Sequence, residues 1–133
     1  MAEAQVDGYS GTPLVRKLGI KAGMALAVLN QPDHYWELLG DLPDGLRIDG
    51  DSPFDFIHIF TTARAELENE LPRLRGQIVQ NGMIWVSWPK KAAKVPTDVT
   101  EDVVREIALA HGLVDVKVAA VDAVWSGLKL VIR

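Results

Sequence analysis

Cysteine is absent from the 133 residues, so disulfides and thiolate metal ligands are excluded, and a reducing compartment suits the chain. Long apolar runs are missing as well, and every apolar stretch falls far short of the roughly 18 residues that a membrane helix needs. The opening residues "MAEAQVDGYSG" carry acids and no apolar stretch. The reading is therefore a cytoplasmic protein with no standard export signal and no membrane contact. His34, His58 and His111 stand far apart without metal-ligand spacing, so no metal is expected. Ser10, Ser87 and Ser126 lack the strand-turn-helix glycine pattern of a hydrolase nucleophile, and no phosphate-loop motif occurs. No residue stands out as catalytic, and no cofactor is expected.

What the chain does have is enough apolar content, 48%, for one ordinary core. Its net charge of −4 argues against general nucleic-acid binding. The charge is unevenly placed, however. Between Leu71 and Thr97 there is no Asp or Glu, yet Arg73, Arg75, Lys90, Lys91 and Lys94 all fall there. An anionic ligand or an acidic partner would find that stretch the best place to dock, although a solvated basic surface explains it equally well.

The elements alternate between strand and helix. Thr12 followed by Pro13 reads as a helix start, and "LVRKL" ends at Gly19 with an apolar clamp at Ile20, giving a short helix over about residues 13–18. Met24 to Asn30 is a continuous apolar run, as expected of a strand covered on both faces. Asp33 can cap a short helix through Leu39, and "LRID" reads as a brief strand. Phe54 to Thr62 is a second strong strand, after which Thr62 caps a helix carrying a Leu67, Leu71, Leu74, Ile78 stripe that Pro72 should kink or split. Asn81-Gly82 reads as a turn into a third strong strand, "MIWVSW". A helix over Glu101–His111 follows, with acids in its first turn and His111 complementing the dipole at its end. "VDVKVAAV" and "LKLVIR" then read as two strands joined by "DAVWSG".

This order predicts an α/β fold: a mainly parallel, Rossmann-like sheet flanked by helices, with the last strand antiparallel. Residues 1–8 read as a flexible N-terminus and residues 9–133 as a single domain. Of the aromatic residues, Trp85 alternates inside a strand and reads as core, and His58 as a hydrogen-bonded core histidine. Trp88 and Trp125 fall at strand ends, where an indole can stack on a ligand ring or pack against a loop.

The words "YSGTPLVRKLGI", "MIWVSWPKK", "TEDVVREIAL" and "VDVKVAAVDAVWSGLK" together resemble an uncharacterised family of small bacterial proteins, over nearly the whole chain. That resemblance implies no activity. The element order is also similar to the methyltransferases that use S-adenosylmethionine, whose parallel sheet ends with an inserted antiparallel strand. Those enzymes place a glycine-rich loop after the first strand, where cofactor and backbone approach closely. Here the loop "NQPDHYWELLG" has no glycine between Asn30 and Gly40. Asp49 is the only candidate for the acid that follows their second strand, and the chain between Gly40 and Phe54 is short for a further helix and strand.

In sheets of this kind ligands bind outside the carboxyl ends of the parallel strands. Tyr9, Ser10, Thr12, Trp88, Lys90, Lys91, Trp125 and Ser126 are expected to converge there as a ligand-binding site. The lysines and a helix start would supply positive charge and the indoles a stacking face, for a small anion. The alternative is a non-catalytic interaction or regulatory module, with the same residues contacting a second copy or an acidic protein.

Overall fold

Residues 12–133 are described by the computed structural model, so Tyr9, Ser10 and the N-terminal segment of residues 1–8 lie outside the described residues. Six strands form one sheet: β1 (Ala25–Leu29), β2 (Arg47–Ile48), β3 (Phe54–Phe60), β4 (Ile78–Pro89), β5 (Leu113–Ala120) and β6 (Trp125–Ile132), in the order β2-β1-β3-β4-β6-β5. β1 to β4 are parallel, whereas β6 runs antiparallel to both β4 and β5 and is wedged between them. The mainly parallel sheet with a reversed last strand is thus as expected. Among the described residues no helix is long and apolar enough to cross a membrane.

Continuous apolar strands are what a sheet covered on both faces requires, and β3 and β4 show it. Alternate residues face alternate sides. Ile57, Ile59, Ile84, Val86 and Trp88 meet Leu67, Leu71 and Leu74 of α3 (Arg64–Arg75) and Val104, Ile107 and Ala108 of α4 (Glu101–Ala110). Leu26, Val28, Phe56, Phe60, Met83 and Trp85 meet Leu14 and Leu18 of α1 (Leu14–Leu18) and Tyr35 and Leu39 of α2 (Tyr35–Leu39) on the other face.

Several local expectations are corrected, each by a contact distant in sequence. Thr12 does not cap α1, because Pro13 holds the N-cap position with no side-chain bond; the far end closes as expected, with Gly19 at φ 86° and Ile20 N–H donating to Val15 O at 3.1 Å. Asp33 does not cap α2, whose N-cap position is taken by His34. Thr62 does not cap α3. Its N-cap residue is Ala63, and Asp98, from the loop before α4, accepts the Arg64 N–H at 2.7 Å instead. Pro72 lies within a continuous α3 and does not split it. Ile78 leaves the helical stripe and opens β4, yet still joins the same core.

Asn81-Gly82 is not a turn. Both residues lie within β4, where the β3–β4 register shifts between Phe54 and Phe56. That shift sends Phe54 into the α3–α4 core while Phe56 and Phe60 stay in the other. Gly82 is required there by crowding, since an added Cβ would lie 3.0 Å from Val79 O and 3.2 Å from Asp55 O. At the far end, "DAVWSG" is shorter as a loop than expected, because Trp125, Ser126 and Gly127 already belong to β6. Thr100 caps α4, accepting Val103 N–H at 3.2 Å, a bond of the kind that contributes about 1 kcal/mol.

Candidate functional site

The carboxyl end of β4 delivers three of the expected residues to one cavity. Trp88, Pro89, Lys90, Lys91 and Lys94 line it together with the following loop and the first turn of α4, around a volume of about 760 Å³. That size falls within the range that holds small-molecule ligands. The sequence places the lysines there because they directly follow β4: the strand ends at Pro89, Lys90 N–H still donates to Val124 O at 2.7 Å, and a single 3-10 turn at Lys91–Ala93 comes next. Trp88 is only 7% exposed and forms the apolar floor. Among the described residues none of Lys90, Lys91 and Lys94 is paired with a carboxylate.

The other expected residues are placed elsewhere. Ser126 is the β6 partner of Trp88 and so shares its face of the sheet, but it does not line the cavity. Trp125 is on the opposite face, where its ring meets Phe60 edge-on at 5.1 Å between centroids. The two indoles therefore cannot flank one ligand. Thr12 precedes α1, which packs with Trp125 and away from Trp88. One link does run from α1 towards Lys90: partial burial, then Lys117, then Lys90 lower the pKa of Lys17, whose ammonium donates to Ala120 O at 3.3 Å. Arg73 and Arg75 lie at the far end of α3, just before β4 begins, so the basic segment is not one patch.

A second place of interest is the crevice between β1 and β3, where the strand order reverses and where ligands of doubly wound sheets usually sit. A side chain spans it here. Asn30, at φ 60°, follows β1 directly, and its Nδ2 donates to Phe60 O at 3.2 Å and to Glu66 Oε2 at 3.2 Å. Thr61 Oγ1 donates to the other oxygen of Glu66 at 2.6 Å, tying β1, β3 and α3 into one clasp. Beside it His34 Nε2 lies 3.0 Å from Asp122 Oδ2, joining the loop after β1 to the loop before β6. Burial pushes the Asp122 carboxyl up, but the Trp125 N–H, His34 and the Val124 N–H outweigh it and hold it below the usual range.

Sequence reasoning placed His58 in the core but missed its partners. Tyr35 OH lies 2.9 Å from His58 Nδ1, and Ser87 Oγ lies 2.8 Å from His58 Nε2, all three fully buried. The only signal for Ser87 was its polarity at an inward strand position. Serine and histidine in contact suggest a nucleophile, yet nothing can reach them here, and the chain of bonds satisfies buried polar groups. Among the described residues no group of three or more metal-ligating side chains converges.

No family model matches this sequence, and no curated protein does, so the bacterial family resemblance finds no further support there. Solved structures do match. An S-adenosylmethionine-dependent methyltransferase from Aquifex aeolicus is 15% identical, with a TM-score of 0.59 over 90% of this chain and 88% of that one. The ribosomal protein L11 methylase of Lactobacillus delbrueckii subsp. bulgaricus is 12% identical, with a TM-score of 0.56 over 90% of this chain and 75% of that one. The magnesium protoporphyrin IX methyltransferase of Synechocystis PCC 6803, solved with bound S-adenosylmethionine, is 9% identical, with a TM-score of 0.58 over 90% of this chain and 74% of that one. At such identities the likeness shows the fold alone, which is methyltransferase-like.

The crevice does not fit the cofactor that this fold implies. Where a glycine loop would let S-adenosylmethionine approach the backbone, Asn30 fills the gap with its own side chain. Asp49 does follow β2, and it lines a smaller cavity of about 340 Å³ with Ala27, Leu29 and Arg73. Its Oδ1 faces Val28 N–H at 3.4 Å, so one acid is in place without the loop that would complete the site.

Proposed function

We propose that this domain keeps a methyltransferase-like sheet but serves to bind a small, ring-bearing anion in the cavity beside Trp88, without methyl transfer of its own and in a cytoplasmic setting. One observation carries the reading. An apolar indole floor and three lysines that pair with no carboxylate among the described residues share a cavity at the carboxyl end of a central parallel strand. The crevice that would hold S-adenosylmethionine is meanwhile crossed by Asn30.

Thermal unfolding with nucleotides and aromatic carboxylates tests it. A true ligand at about 100 times its Kd should add about 2.7 kcal/mol of stability. Replacing Lys90 and Lys91 together with Ala should abolish that shift while changing the stability of the free protein by no more than about 0.5 kcal/mol, since neither lysine is fully buried. If the double substitution instead alters self-association or capture of an acidic protein, the domain is an interaction module. In calorimetry, S-adenosylmethionine should release no binding heat. Micromolar affinity would restore methyl transfer as the working idea.

A further inference from the structure

We propose that the ligand of the β4 cavity carries an ammonium group beside its ring and its anionic carboxylate, as a zwitterion of the amino-acid class does. The inference rests on the ligand reading above and adds to it the other wall of the cavity. Lys90, Lys91 and Lys94 come from the exit of β4 and the turn after it, whereas Glu101 and Asp102 come from the first turn of α4. A simple anion held by the lysines would share its cavity with two like charges. A ligand with both an ammonium and a carboxylate meets a complement at each end.

Among the described residues the acidic wall is not neutralised: its one cation there is Arg105, divided among three carboxylates, Nη2 to Glu101 at 2.5 Å, Nη1 to Asp102 at 3.0 Å and Nε to Asp115 at 3.1 Å. The guanidinium fixes the position of these acids and leaves the group net negative. The Asp102 side chain, 96% exposed, is free to turn towards a cation. On the basic wall, the lysines lack carboxylate partners among the described residues, so each wall holds charge of its own sign in excess. Trp88, Pro89, Val95, Pro96 and Val99 supply the apolar surface between them. An indole floor favours an aromatic ring by offset or edge-on stacking.

Three probes that share one ring separate the possibilities on the whole protein: L-tryptophan, indole-3-propionate, which lacks the ammonium, and tryptamine, which lacks the carboxylate. L-Tryptophan should bind at least tenfold more tightly than either of the others. Asp102→Asn, at an exposed side chain whose part in the fold is one ion pair and a first-turn charge of α4, should weaken L-tryptophan severalfold and leave indole-3-propionate unchanged or tighter. Glu101→Gln should act in the same direction. If indole-3-propionate binds as well as L-tryptophan to the unaltered protein, the zwitterion is overturned and the anion site stands. Failure of all three probes overturns this inference, and failure of nucleotides and aromatic carboxylates as well removes the ligand reading with it.

Discussion

Between pH 6.5 and pH 4.5 the protein should lose about 2 kcal/mol of unfolding free energy through one residue, His58, the slope growing towards its limit of about 1.4 kcal/mol per pH unit as the pH falls. The imidazole is fully buried, its two nitrogens are occupied by Tyr35 and Ser87, and burial pushes its pKa down to about 3. In the unfolded chain the same ring takes up a proton near its ordinary value of about 6.5. Over this window the unfolded state therefore binds more protons than the folded state, so stability rises with pH and levels off above about 6.5. The loss continues with falling pH until the folded protein itself accepts the proton. Asp122 acts with the same sign but lower down, because a carboxyl held below its usual range matters only near and below that range. Urea unfolding of the wild type and of His58→Gln at pH 6.5, 5.5 and 4.5 reads the effect as a difference of slopes. The variant should be weaker at pH 6.5, for its partners lose their fit, yet flatter towards acid. Equal slopes would show that His58 is protonated in the folded state or that its surroundings admit water.

The strands were legible because burial on both faces leaves runs such as "MALAVLN" and "FDFIHIF" that depend on nothing outside themselves. Helix ends were less so. The residue that satisfies the first turn of α3 is Asp98, 34 positions from the N–H that it accepts, so local sequence points to Thr62 as the cap when the true partner is distant. Asn81-Gly82 misled for a related reason: an Asn-Gly pair favours a turn by its own φ preferences, but here glycine is demanded by the approach of Val79 O and Asp55 O.

The site was legible along β4 and no further. Trp88, Lys90 and Lys91 are close in sequence, so one strand end carries them together into one cavity. Trp125 and Ser126 belong to β6, and adjacent strand residues face opposite sides, so at most one of them could join Trp88. The pairing Trp88 with Ser126 decides which. The acidic wall escaped notice because Glu101 and Asp102 already had a sufficient local explanation, as acids in the first turn of a helix. The Asn30 clasp was foreshadowed only by a missing glycine; that the side chain would reach Phe60 and Glu66 needs the β1–β3 pairing itself.

Trp85→Ala should cost about 3–5 kcal/mol, a large share of the 5–15 kcal/mol typical of a whole domain. The indole is fully buried at the centre of the α1–α2 face and is the largest side chain in that core. Its Nε1 donates to Leu18 O at 2.9 Å, satisfying a carbonyl at the end of a helix only five residues long. So short a helix has little stability of its own, and this bond together with Leu14 and Leu18 holds it to the sheet. Trp85→Phe keeps most of the packing and removes only the donor, so it should cost about 1–3 kcal/mol, the price of an orphaned buried carbonyl. Gly127 supplies the control. A Cβ at that position would meet Trp85 Cε3 at 3.1 Å and Cζ3 at 3.3 Å, with Ser87 Oγ also at 3.3 Å. Gly127→Ala alone should therefore destabilise by about 1–3 kcal/mol through overpacking, and by clearly less in the Trp85→Ala background, where two of those three contacts are gone. Denaturant unfolding of the four proteins closes the cycle. Additive losses, or a Trp85→Ala cost below about 1.5 kcal/mol, would mean that the indole neither fills this face nor fixes α1 against it.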